Sequence, residues 1–231
     1  ENELKDKKVD FMIFPEDLLD NPLSLIFYRD SAEKLNTSLA ATFDIVQNNK
    51  RYNSTALFNE KGEIIDIYNK NRLTFIGEYW PFGNWRPFFI DWLEKTDPGV
   101  GNYVIFNPQN PYFKGEKKLL SLKTDTDKRI YFASQICLEI HYPNELKKYK
   151  KMGARFVVNP TSNRWLDVGL KHFLYLTNNL RKIEAVWLET PIISSGVKDF
   201  AGVITPDGKV DFVNFESEDK NYGIFSGKIR Y

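Results

Sequence analysis

The sequence predicts a mixed α/β domain with helices layered outside its sheets. Three observations lead there. Short apolar, strand-like runs alternate with longer segments of helical periodicity. Hairpin signals interrupt that alternation, so the sheets are not purely parallel. No internal repeat or low-complexity linker divides the 231 residues, so one domain is expected over 1–231.

The elements follow in order. Val9 to Phe14 is a short apolar run stopped by Pro15, the pattern of a buried strand. Residues 20–35 carry Leu23, Ile26, Phe27 and Leu35 at helical spacing, and Thr37 to Val46 reads as a strand. Ser54 to Phe58 and Ile64 to Tyr68 flank Asn59-Glu60-Lys61-Gly62, a hairpin turn. Tyr103 to Phe106 and Leu119 to Leu122 are short strands, with a loop at Lys114 to Lys118. Arg129 to Ile136 is a strand leading to Cys137; Tyr142 to Met152 is a basic helix ending near Gly153; Ala154 to Asn159 is a buried strand. Leu170 to Glu189 is a long helix with Phe173, Leu176, Leu180, Ile183 and Val186 along one face. Pro191 to Ser195 and Ala201 to Ile204 are strands, and Pro206-Asp207-Gly208 turns the chain into Lys209 to Phe215.

Composition narrows the function. A net charge of +1 gives no electrostatic pull toward nucleic acid. One cysteine allows no intrachain disulfide, and with two histidines it makes no zinc-binding spacing. Gly99-Val100-Gly101 lacks the rest of a dinucleotide loop, and no cofactor is expected. No apolar run approaches the roughly 18 residues of a membrane-spanning helix. The chain opens without Met or a signal segment, which reads as a fragment or processed chain.

The chemistry lies in three residues, each just past a predicted strand: Glu16, Lys70 and Cys137. A thiol is mostly protonated at neutral pH, and its thiolate is the nucleophile. Glu16 is placed to accept the thiol proton. Lys70 is placed to stabilise the thiolate and then the oxyanion of a tetrahedral intermediate, with the backbone N–H of Leu138 as a second donor.

Longer motifs surround these residues. Phe14-Pro15-Glu16 is a strand followed by Pro-Glu. The stretch from Tyr68-Asn69-Lys70 through Gly77-Glu78-Tyr79-Trp80-Pro81 is similar to the pattern Tyr-x-Lys-x-x-Leu-Val-Pro-Phe-Gly-Glu-Tyr-x-Pro. Ile136-Cys137-Leu138-Glu139-Ile140-His141-Tyr142-Pro143 is similar to Ile-Cys-Tyr-Glu-x-x-Phe-Pro. Asn159 to Trp165 resembles an Asn-Asp-x-Trp loop, and His172 with Arg181 to Glu184 the helix after it. Together these resemble the nitrilase, or carbon–nitrogen hydrolase, superfamily, and within it the catalytic domain of the apolipoprotein N-acyltransferases. The resemblance implies a four-layer αββα sandwich, with Glu16 as general base, Lys70 as oxyanion stabiliser and Cys137 as nucleophile. It implies supporting or substrate-binding roles for Glu78, Leu138, Glu139, Trp80 and Trp165. It also implies that the chain lacks the family's first strand and helix and its flanking membrane helices.

Two departures stand out: Phe75-Ile76 replaces the family's Pro-Phe, and Leu138 replaces the Tyr after the cysteine. The stretch Tyr79 to Leu93 holds three of the five tryptophans, a composition suited to a membrane–water interface. The resemblance implies an acyltransferase on the extracytoplasmic face of a bacterial inner membrane. Its acyl donor would be a phospholipid, and its acceptor a lipoprotein with a lipid-modified N-terminal cysteine. The competing expectation is a soluble amidase that hydrolyses a small amide with the same triad.

Overall fold

The structure, a computed structural model, describes residues 9–16, 23–75, 77–81, 85, 92, 96, 111–124, 127–163, 171–211, 213–215 and 224–226. Its first sheet is built from β1 (Phe11–Ile13), β2 (Ser38–Gln47), β3 (Lys50–Phe58) and β4 (Ile64–Asn69), in that spatial order, with α1 (Ser24–Leu35) between β1 and β2 in sequence. β1 and β2 are parallel, and the β2–β3 and β3–β4 pairs are antiparallel. It follows that β1 and β4 run the same way and end at the same edge. The predicted hairpin is there, its turn held by Asn59, whose side chain accepts from the N–H groups of Lys61 and Glu63.

The second sheet contains β5 (Leu120–Lys123), β6 (Arg129–Ser134), β7 (Phe156–Ser162), β8 (Ile192–Val197), β9 (Gly202–Ile204) and β10 (Val210–Asp211), ordered β10-β9-β8-β7-β6-β5. Its centre, β6-β7-β8, is parallel, and its flanks are antiparallel. The crossovers are α2 (Pro143–Met152) and α3 (Lys171–Leu188). A separate hairpin pairs β11 (Val213–Phe215) with β12 (Ile224–Ser226). The expected strand at 103–106 lies outside the described residues.

Side-chain alternation builds the layers. On β1, Met12 faces the α1 side, where Tyr28 and Ala32 meet Leu39, Ala41, Ala56 and Phe58. Phe11 and Ile13 face the other sheet, and the Phe11 ring lies 5.4 Å from that of Phe132. On β3, Ala56 and Phe58 face α1, while Leu57 joins the inter-sheet core. Thr55 bonds across the sheets to Ser134 at 2.8 Å. The result is the expected order: helix, sheet, sheet, helices.

Two elements differ from the sequence expectation. The strand through Val158 runs on past Pro160 to Ser162. Val158 accepts from Gln135 N on the β6 side, and Pro160 has the same parity. β6 stops at Ser134, so the missing Pro160 N–H removes no ladder bond there. The second difference is α3. Its apolar stripe of Leu176, Ile183 and Val186 is exposed, and Thr177, Arg181, Glu184, Ala185 and Leu188 face inward. No described helix is long and apolar enough to cross a membrane.

Candidate active site

The ends of three strands converge. β1 delivers Pro15-Glu16, β4 runs directly into Lys70, and β6 runs through Gln135-Ile136 into Cys137. All three side chains are buried. Lys70 Nζ lies 2.9 Å from Glu78 and 3.9 Å from Glu16, and it donates to Thr74 Oγ1 at 3.2 Å. Glu78 is itself anchored, accepting from Thr74 N at 2.7 Å. Burial penalises the Lys70 ammonium, but Glu78 and Glu16 outweigh that and hold its pKa above the usual lysine range. Burial likewise works against the Glu78 carboxylate, and Lys70 overcomes it, leaving the pKa lowered.

Cys137 opens a short 3₁₀ turn, Cys137–His141, with φ of 53°. That is the left-handed region, costly for a residue with a Cβ. Burial pushes the thiol up to about 12, helped by the negative charge of Glu16 and opposed by Lys70 and, more weakly, by the Thr161 hydroxyl. The resting group is therefore a thiol, held close to a carboxylate that can take its proton and an ammonium that can receive an oxyanion.

Glu139 closes the arrangement. Its carboxylate accepts from the N–H groups of Asn71 and Arg72 in the Lys70 segment, at 2.8 and 2.7 Å, and from Ile136 N before the cysteine, at 2.9 Å. The Tyr68 hydroxyl adds a fourth donor at 3.0 Å. One side chain so clasps the loops carrying Lys70 and Cys137. Burial pushes its pKa up to about 7, against Lys70 and these hydrogen bonds.

Leu138 is half-buried against the core. The Trp80 indole donates to Trp85 O at 2.8 Å and stacks on Phe75, on the exposed side of the Lys70–Glu78 segment. Trp165 lies outside the described residues. Sequence reasoning missed Asn53, whose side-chain amide donates to Glu16 and to Glu78, both at 2.7 Å. Its only signal was an amide at the start of the polar run Asn53-Ser54-Thr55 on a strand facing another sheet. Thr161 was hidden inside a motif read as a loop. Among the described residues no His/Cys/Asp/Glu group could hold a metal ion.

The family model described as carbon–nitrogen hydrolase matches residues 3–184. The chain belongs to the carbon–nitrogen hydrolase, or nitrilase, family. Among curated relatives it is 30% identical over 163 residues to a protein named apolipoprotein N-acyltransferase from Agrobacterium fabrum, covering 69% of this chain and 27% of that one. A protein of the same name from Chlorobaculum tepidum is 26% identical over 115 residues, covering 49% and 20%. The chain thus matches only about a quarter of the length of these relatives. Among solved structures, an amidase from Nesterenkonia sp. aligns over 96% of this chain and 78% of its own, with a TM-score of 0.59 and 13% identity. A glutamate-to-glutamine mutant of the amidase from that source, described with the acetamide moiety of fluoroacetamide on the active site cysteine, gives 0.60 at the same identity, over 94% and 75%. At that identity the likeness shows the fold.

Proposed function

We propose that this nitrilase-family domain is an N-acyltransferase that moves a fatty acyl group from a phospholipid to the N-terminal amine of a lipoprotein. Cys137 Sγ attacks the ester carbonyl while Glu16 takes the thiol proton. The carbonyl π pair moves to oxygen, where the Lys70 ammonium and the Leu138 N–H meet the charge. Collapse expels the lysophospholipid alkoxide, which takes the proton from Glu16 and leaves a thioester. The acceptor amine then attacks the thioester and gives a proton to Glu16. Collapse forms the amide and returns the cysteine thiolate, which regains that proton.

The observation that carries this reading over hydrolysis is the exposed aromatic cluster beside Lys70 and Glu78. Phe75, Tyr79 and Trp85 are each about half exposed or more. Aromatic rings of this kind sit at the membrane–water interface, where a lipid ester would reach the thiol and bulk water would be kept from the thioester. The names of the sequence relatives support the same assignment; the activity we propose lies at the extracytoplasmic face of a bacterial inner membrane. A second reading, hydrolysis of a small amide, uses the same thiol, base and ammonium and is favoured by the amidase names of the structural neighbours.

The two separate in one assay. The domain is mixed with phospholipid vesicles and a synthetic peptide bearing a diacylglyceryl-modified N-terminal cysteine. N-acylated peptide that depends on Cys137 supports transfer. Ammonia release from small amides, with no acylated peptide, supports the amidase.

A further inference from the structure

A buried relay stands behind the nucleophile turn. The Asn159 side-chain amide donates two hydrogen bonds to backbone carbonyls, Gln135 O at 2.6 Å and Cys137 O at 3.1 Å. Its own oxygen accepts from Arg181 Nε at 2.9 Å. Arg181 forks onto Asp199, Nη1 to Oδ1 at 3.1 Å and Nη2 to Oδ2 at 2.5 Å, and its Nη1 also reaches Asn178 Oδ1 at 2.7 Å. Arg181 and Asp199 are almost wholly buried, at 2% and 0% side-chain exposure. An ion pair this deep often adds no net stability over apolar residues of the same volume.

The peptide group explains its placement. The carbonyl of Cys137 and the N–H of Leu138 belong to one planar unit and point in opposite directions. Gripping the carbonyl from the Asn159 side therefore aims the N–H away from Asn159. Cys137 sits at a left-handed φ of 53°, a conformation that persists only where its surroundings hold it. Asn159 can hold it only with its NH₂ group turned to the carbonyls; flipped, it would set oxygen against oxygen. Arg181 Nε, which can only donate, fixes that orientation, and Asp199 fixes Arg181.

We propose that Arg181 is a positioning residue for the reaction at Cys137, acting through Asn159 to hold the Cys137–Leu138 peptide with its N–H aimed at the oxyanion. The inference rests on the acyl-enzyme reading above for its chemical consequence, and on geometry alone for the peptide's orientation.

Two measurements test it separately. Cys137 is the chain's one cysteine. Labelling with ¹³C-carbonyl cysteine and ¹⁵N-leucine therefore gives a single HNCO signal, that of the Cys137–Leu138 peptide. In Arg181→Lys, which keeps the charge and loses the fork, the signal is expected to move as the carbonyl loses its donor. Acylation by p-nitrophenyl butyrate is expected to fall about tenfold or more, approaching the roughly 10²–10³ of losing an oxyanion donor. Alkylation by iodoacetamide, which forms no oxyanion, should stay within about threefold of wild type by the same logic. Asn159→Ser should reproduce this split, and it carries the test if the lysine variant does not fold. An unmoved HNCO signal, or a parallel fall of acylation and alkylation, overturns the proposal. A wild type that ester never acylates counts against the acyl-enzyme reading, and the HNCO comparison still decides the role of Arg181.

Discussion

Cys137 and Glu16 pull against each other in the resting site. Burial raises the thiol's pKa to about 12; the carboxylate adds to that rise and is also the group placed to remove the proton. Glu16→Gln separates these effects. Removing the negative charge favours the thiolate, so the thiol pKa moves down. Removing the base costs about 10²–10⁴ in acylation rate. The pH dependence of iodoacetamide alkylation reads the first, and ester acylation at neutral pH reads the second. A variant with a lowered thiol pKa and wild-type acylation would leave Glu16 without the base role. Glu16, Lys70 and Cys137 were legible in the sequence because each sits at a strand end inside a distinctive run. Asn53 was not, and Arg181 was legible only as part of a motif on a helix, without a role. An asparagine in a strand and an arginine in a helix look the same whether they meet water or orient a carboxylate or an amide, and only the fold says which.

At the scale of elements, the site depends on two loops being locked together. Glu139 accepts three backbone N–H groups from those loops. Replacing it with alanine leaves them without that acceptor, two of them buried, at a cost of about 3 kcal/mol. Urea unfolding of Glu139→Ala should show that loss, with a lowered midpoint and an unchanged slope; a stability equal to wild type would mean the clasp contributes nothing. Gly115 packs on the same segment: a Cβ there would lie 2.2 Å from Asn69 O, so no side chain is tolerated beside Lys70. Most element positions were readable from periodicity and turn residues. The end of β7 was not, because Pro160 normally stops a strand and is accommodated here only where β6 has already turned away. The conformation of Cys137 was equally hidden, since nothing local in the sequence demands a positive φ at a cysteine.

At the scale of the whole molecule, the layers are fixed by contacts distant in sequence. Thr55 meets Ser134 across 79 positions, and no local pattern specifies that pairing. Helices outside sheets followed from alternation; which face of α3 turns inward did not, because the buried face carries Arg181 for the site and leaves the apolar stripe exposed. The exposed aromatics by the Lys70–Glu78 segment belong to this scale too. Tryptophan emission should shift to the blue on adding phospholipid vesicles, and Trp85→Ser should weaken the shift; unchanged emission would remove the membrane from the proposed function. The central claim, that Cys137 carries the acyl group, is tested most directly by intact-protein mass spectrometry after incubation with phospholipid vesicles, wild type beside Cys137→Ala. The account predicts a mass increase of one fatty acyl group that hydroxylamine removes and the variant lacks. An acyl adduct that persists in Cys137→Ala would contradict it.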